Sequence, residues 1–168
     1  MNFRLPEQND EKLLLDYLQE HYDNGEKDVS ASMGFASTAY DQWVERIRSN
    51  ASVGDGSWGK SLLYLCFDGE KLVGLLSIRY DLSKEMSEKY GDIGYGVRPS
   101  ERKKGYAIAM LGYALSVCKE KGMRQVVLGC YKDNVASAAT IRKHGGVLFA
   151  ENDNYTKGKI SQYYTITL

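Results

Sequence analysis

Val97-Arg98-Pro99-Ser100-Glu101-Arg102-Lys103-Lys104-Gly105-Tyr106-Ala107 is the stretch on which the fold turns. It links an apolar strand, predicted over 92–97, to a helix predicted from 105 to about 121. The first-turn amides of a helix have no intrahelical acceptors and sit at the positive end of its dipole. Gly105 permits close backbone approach, and Ala107 keeps the next turn small. Arg98, Arg102, Lys103 and Lys104 concentrate positive charge at the same place. A diphosphate is the group such a site binds best. Taken alone, the stretch also fits a basic turn that is merely solvated.

The pattern continues outward on both sides. The long helix has an inward stripe of Ala107, Met110, Leu111, Ala114, Leu115 and Cys118, and Gly122 ends it. Upstream, residues 1–5 form a short strand stopped by Pro6. Helical spacing of Leu14, Tyr17 and Leu18 predicts a helix over 9–22, capped by Asn9 or Asp10. Tyr40, Trp43, Val44 and Ile47 mark a second helix over 37–48. The run 62–67 is a strand, Asp68-Gly69 a hairpin turn and 72–80 the returning strand. Residues 81–89 form a polar turn region. Downstream come a strand at 125–130, a short helix at 134–143 closed by Gly145-Gly146, and strands at 147–151 and 162–168.

The element order is therefore β-α-α-β-β-β-α-β-α-β-β: an α/β (α+β) chain with about seven strands and about four helices. Its mixed sheet is antiparallel in the centre. The strands near 97 and 126, joined through the long helix, are expected to be parallel neighbours or nearly so. No linker or repeat divides residues 1–168, so a single domain is expected.

Composition narrows the function classes. The chain has 168 residues and a formal net charge of zero. A whole-protein field that gathers nucleic acid or an anionic membrane is not expected. No apolar run has the length of a membrane span, and the first residues lack the regions of a signal peptide. Cys66, Cys118 and Cys130 lie far apart in apolar stretches and read as free, buried thiols. The two histidines, His21 and His144, are too few for a histidine-rich metal site. No metal is expected, and a cytoplasmic protein is the default.

A second phosphate candidate competes with the first. Gly54-Asp55-Gly56-Ser57-Trp58-Gly59-Lys60-Ser61 satisfies the literal P-loop pattern. A P-loop must leave a strand and open a helix, whereas 62–67 is strand-like. No crossover helix fits between Ser61 and Asp68, since parallel strands need about a dozen connecting residues. A glycine-rich loop between helix and strand is the preferred reading.

The stretch from Gly94 to Ala107 resembles the signature of the GNAT superfamily of N-acetyltransferases, Q/R-x-x-G-x-G/A after a strand ending in Val-x-Pro. Arg102, Gly105 and Ala107 fill its key places. Lys103 stands where a glycine is common, which ordinary backbone angles there would make harmless. Asn134 and Ser137, followed by Lys143-His144-Gly145-Gly146, resemble the family's N-x-x-S…K-x-G segment. The element order agrees over nearly the whole chain. The resemblance implies acetyl-CoA as co-substrate and an amine acceptor as partner. Its pantetheine would pair with the backbone of Tyr95, Gly96 and Val97, in the gap between the strands at 92–97 and 126–130. Its pyrophosphate would sit on the amides of Lys103, Lys104, Gly105, Tyr106 and Ala107, beside Arg102. Asn134 and Ser137 would border the pantetheine, with Asn134 also fit to cap its helix.

The chemistry is less determined than the binding. A backbone amide near Val97 is the expected oxyanion donor. Family members often protonate the thiolate with a tyrosine whose place here is Ile141. Tyr131, Tyr163 or Tyr164 would have to substitute. Asp92, at the start of the strand, is the first candidate base, followed by Glu151 and Asp153. Cys130 as an acyl carrier is disfavoured, because no histidine is placed to activate it. Direct transfer in a ternary complex follows. The loops at 24–35 and 49–60 are expected to shape the acceptor site, with Trp58 and Phe35 as walls or anchors. Asp23, Glu26, Asp28 and Asp55 would favour a cationic amine. A non-catalytic acyl-CoA-binding module and a P-loop nucleotide hydrolase stand as alternatives, and a homodimer is left open.

Overall fold

A computed structural model describes residues 1–168, apart from the side chain of Ser57. Strand β1 (Asn2–Arg4) precedes helices α1 (Glu11–Asp23) and α2 (Tyr40–Asn50). Strands β2 (Lys60–Asp68) and β3 (Lys71–Tyr80) form a hairpin, and the short helix α3 (Lys84–Tyr90) leads into β4 (Ile93–Val97). Helix α4 (Tyr106–Glu120), strand β5 (Gln125–Tyr131) and helix α5 (Val135–Lys143) follow. The chain ends in a long hairpin of β6 (Val147–Thr156) and β7 (Lys159–Thr167).

Strands β2 and β3 read as nearly continuous apolar runs because both faces of the sheet are covered. Leu63, Leu65, Phe67 and Leu75 pack with Leu14, Tyr17, Trp43 and Val44 of α1 and α2. Leu62, Cys66, Leu76 and Ile78 pack with Met110, Leu111 and Ala114 of α4. Burying each large side chain contributes roughly 1.5–3 kcal/mol before its ordering entropy is subtracted. The stripe predicted for α4 is broadly right, though Ala107 and Leu115 are only half-buried and Val117 joins the core.

Two features depart from expectation. First, the seven strands make two antiparallel ladders, β1-β2-β3-β4 and β5-β7-β6, in place of one sheet. The Asp92 amide donates to Val127 O at 2.7 Å, and the Val127 amide donates to Asp92 Oδ2 at 2.7 Å. No ladder continues from there, so β4 and β5 are neighbours at one end only. Gly91, at φ +75°, makes the junction possible: a Cβ there would stand 3.3 Å from Val127 O and Gly129 N.

Second, residues 84–90 form α3 within the stretch expected to be a polar turn. Ser83 caps it by accepting from the Met86 amide, and none of its side chains is buried, so it has no apolar stripe to betray it. As expected, the P-loop-like segment is a loop: it contains a single 3-10 turn, Gly56–Trp58, and runs straight into β2. Without a helix after it, it presents no helix N-terminus to a phosphate.

Candidate active site

The two ladders part beyond Asp92 and Val127, and the signature segment sits at the mouth of the gap. The Arg98 amide donates to Val73 O, and Asp92 O accepts from the Arg79 amide. Antiparallel alternation therefore turns the even-numbered residues of β4 toward β3 and leaves the backbone groups of Tyr95 and Val97 facing the gap. Gly96 O, on the other side, accepts from the buried Tyr17 hydroxyl at 3.1 Å. Of the three residues expected to pair with pantetheine, Tyr95 and Val97 face the gap, Val97 with its amide alone because its carbonyl accepts from Arg102 Nε, and Gly96 faces away.

The loop between β4 and α4 is wound to expose amides. Lys103 has φ 64° and Gly105 φ 86°, both left-handed. Among the described residues, the amides of residues 103–108 have no intramolecular acceptor; the first helical bond runs from the Ala109 amide to Gly105 O. A Cβ on Gly105 would meet nothing within 4 Å, so the loop is open on that side. That is the geometry of an anion cradle. Lys103 differs from expectation, since its backbone is not ordinary. A side chain in this region costs about 1–2 kcal/mol relative to the right-handed form, which is why glycine is common at that place in the signature.

The cations of the loop are largely paired. Arg102 holds Glu26 with both terminal nitrogens, at 2.5 and 2.8 Å, and donates Nε to Val97 O at 3.1 Å. The guanidinium keeps the Glu26 carboxyl down at about 2. Glu26 also bonds His21 Nδ1 at 2.7 Å, and His21 is buried and shifted toward its neutral form by that burial. Burial alone would raise the Glu20 carboxyl, but its pairing with Arg98 and the Ser100 amide brings it to about 2. Lys104 and Lys71 share the buried Glu101. Tyr106 reaches across to Asp68 at 2.5 Å. Lys103 has no carboxylate partner among the described residues.

Across the gap, Asn134 caps α5 by accepting from the Ser137 amide at 3.1 Å. The Tyr95 hydroxyl spans the gap to Ser137 Oγ at 3.0 Å, and burial pushes its pKa up to about 12. Beside this contact opens a cavity of about 710 Å³. Its inner wall includes Gly94, Tyr95, Gly129, Cys130, Asn134 and Ser137. Its outer walls come from the α1–α2 loop (Lys27, Asp28, Ser30, Met33), from Arg79, Lys89 and Tyr90, and from Tyr131, Tyr155 and Tyr163.

The catalytic candidates separate cleanly. Tyr131 lines the cavity, with its hydroxyl 2.8 Å from Thr156 Oγ1. Tyr163 also lines it and donates to Lys89 O. Tyr164 does not: it is buried under α5, accepting from Arg142 and donating to Gln162. Ile141 is fully buried, so no proton donor stands at that place. Asp92 is 4% exposed and off the cavity lining. Burial raises its pKa, against the opposing Val127 amide and Ser87 hydroxyl. It is a clasp between β4 and β5. Glu151 is tied to Lys132 and Gln162, and Asp153 to Lys157 and the Gly158 amide, all away from the cavity.

Other expectations are refined. All three cysteines are free, but Cys130 is half-buried and lines the cavity. Phe35 anchors its loop against Trp43, 5.1 Å between centroids, while Trp58 backs Tyr90 at 4.8 Å. Of the acidic loop residues, only Asp28 faces the cavity. Sequence reasoning missed Arg79, Lys89, Tyr90 and Tyr155. Arg79 had a signal, as the one charge inside the apolar run of β3. The other three reach the cavity from α3 and the extended β6–β7 hairpin, which were not foreseen. No group of three His, Cys, Asp or Glu among the described residues is placed to hold a metal.

Splayed strands, an amide cradle at a helix N-terminus and an adjoining cavity define an acyl-CoA-type binding fold. The acetyltransferase (GNAT) family model matches residues 15–146, and the chain belongs to that family of N-acetyltransferases. No curated protein sequence matches it. Solved structures share the fold at low identity. One is the ribosomal L7/L12 alpha-N-protein acetyltransferase RimL in complex with coenzyme A: TM-score 0.72, 17% identity, 99% of this chain and 93% of that one. Another is the microcin C7 self immunity acetyltransferase MccE with acetyl-CoA and AMP: TM-score 0.74, 18% identity, 99% and 91%. A third is a ribosomal-protein-alanine N-acetyltransferase from Brucella melitensis: TM-score 0.71, 15% identity, 100% of both chains.

Proposed function

We propose that the chain transfers acetyl directly from acetyl-CoA to a primary amine of a small molecule or peptide, within a ternary complex. The carrying observation is continuity: one cavity reaches from the gap residues Gly94, Tyr95 and Cys130 to the outer walls, so both substrates can meet in it. The outward-facing amides of residues 103–108 hold the diphosphate, and the open edge of β4 takes the pantetheine. The amine lone pair attacks the thioester carbonyl, a gap-facing β4 amide stabilises the oxyanion, and the C–N bond forms as the C–S bond breaks. Tyr95 lines the cavity, whereas Val97, expected for this role, does not. The ammonium proton leaves to solvent, and Tyr131 supplies the thiolate's proton. Acyl transfer through Cys130 is disfavoured. Burial raises its thiol, and His144 is engaged with Thr140 O, away from it. Three free cysteines support a reducing, cytoplasmic setting.

The buried Ile141 favours one other reading, a module that binds acyl-CoA without turnover. Thiol release from acetyl-CoA with an amine panel separates the two. The enzyme reading expects amine-dependent release and loss of about 100-fold in kcat for Tyr131→Phe. Saturable acetyl-CoA binding with no release for any amine would establish the module instead.

A further inference from the structure

The outer half of the cavity carries an unmatched charge. Lys27, Arg79 and Lys89 line it against the single carboxylate of Asp28. Arg79 is the deepest of these cations. Its Nη1 donates to Gly91 O at 2.7 Å and to Tyr90 O at 3.3 Å, which fixes the guanidinium plane at the end of α3. Its Nε and Nη2 have no acceptor among the described residues, and no carboxylate stands within ion-pair distance. Asp92 acts on it through space, but the Asp92 Oδ2 is already engaged with Val127 and Ser87. Lys89 Nζ lies 5.1 Å from the Tyr90 ring centroid, again without a carboxylate partner. The half-buried guanidinium also lies 5.8 Å from the Trp58 ring centroid, a cation–π contact that supplies no acceptor for its free donors. A guanidinium cannot shed its proton, so holding one here without a carboxylate is costly unless an anion completes the set.

We infer that the acceptor is an amine that also carries an anionic group, a carboxylate or a phosphate, which Arg79 and Lys89 bind while the amine points toward the β4–β5 gap. This rests on the acetyltransferase reading above and names the acceptor's class. A planar guanidinium with two free donors suits either oxyanion. The arrangement disfavours polyamines, whose second cation would meet Arg79 and Lys89.

The test uses matched amines: alanine against alaninamide for the carboxylate, and phosphoethanolamine against ethanolamine for the phosphate, with a diamine as the cationic arm. Rates are expressed per concentration of free-base amine, because an acidic group alters amine basicity. The expected result is a preference of about tenfold or more in kcat/KM for one or both acids. Lys89→Gln and Arg79→Lys should each shrink it severalfold while leaving the KM for acetyl-CoA unchanged. Equal or faster reaction of neutral or dicationic amines overturns the inference, as does a preference that persists in both variants. Acetyl-CoA binding, measured on the same samples, tells the two failures apart. A protein that binds acetyl-CoA yet acetylates only uncharged or dicationic amines refutes the anion site alone. One that does not bind acetyl-CoA loses both readings.

Discussion

The two ends of the site handle positive charge in opposite ways. At the diphosphate end, where the sequence crowds Arg98, Arg102 and Lys104 together, each has a carboxylate partner in Glu20, Glu26 or Glu101. What remains open there is chiefly backbone, the amides of residues 103–108, with Lys103 the one cation of the loop lacking a carboxylate among the described residues. At the acceptor end the sequence is not conspicuously basic, yet Arg79 and Lys89 stand without carboxylates. A cluster of basic residues in sequence thus says less about where an anion binds than does the pairing of those residues in space. On the reading proposed above, conformation makes the first anion site and residual charge the second.

The sharpest way to break this contrast is at Gly105. Gly105→Glu places a carboxylate on the open side of the loop, beside the amides, and acetyl-CoA affinity should fall by about 100-fold or more. Gly105→Ala carries the same left-handed strain without the charge, so it should fold and lose far less affinity in calorimetric titration. Equal losses would mean that strain, and not anion binding, dominates. Arg102→Gln sharpens the comparison from the side-chain direction. Because Glu26 already occupies that guanidinium, acetyl-CoA affinity should drop less than about tenfold. A loss matching Gly105→Glu would show that Arg102 leaves Glu26 to grip the diphosphate.

Smaller effects concern stability. Lys103→Gly relieves the left-handed φ of 64°. Relief of about 1–2 kcal/mol, less about 0.5–1 kcal/mol for the chain entropy of glycine, should leave a net gain of about 0.5–1 kcal/mol, seen as a rise of roughly 1–4 °C in Tm. An unchanged or lower Tm would contradict the strain. The least effect is that of pH on the Arg102–Glu26 pair. The Glu26 carboxyl is held at about 2, below its ordinary 4.5. Its contribution is complete above the ordinary value and declines as pH falls from there toward about 2. Urea midpoints should show a shallower acid decline in Glu26→Gln than in the parent, and identical slopes would refute the pairing.

Much of the fold was legible because it rests on local signals. Asp68-Gly69, the apolar period of α4, and the Asn134 cap each specify their element from a few adjacent residues. The strand, turn and helix that carry the proposed diphosphate cradle were legible for the same reason, since they are contiguous in sequence. The acceptor cavity was not, because its walls converge from six separate stretches of chain, 18–36, 79, 89–95, 129–137, 155–156 and 163. Helix α3 buries no side chain, and the β6–β7 hairpin extends through the polar residues 152–161, so neither carries an apolar pattern. Tyr164 and Asp92 illustrate the limit at the chemical level. Alternation along a strand gives a residue's parity, but only the three-dimensional packing reveals that one lies under α5 and the other joins two strands.

The most direct measurement is the backbone amide spectrum of the labelled protein during titration with acetyl-CoA. The largest shifts should fall on the amides of residues 103–108, accompanied by Tyr95 and Val97 at the edge of β4. Unmoved signals there, with shifts concentrated in residues 54–61 instead, would contradict the account.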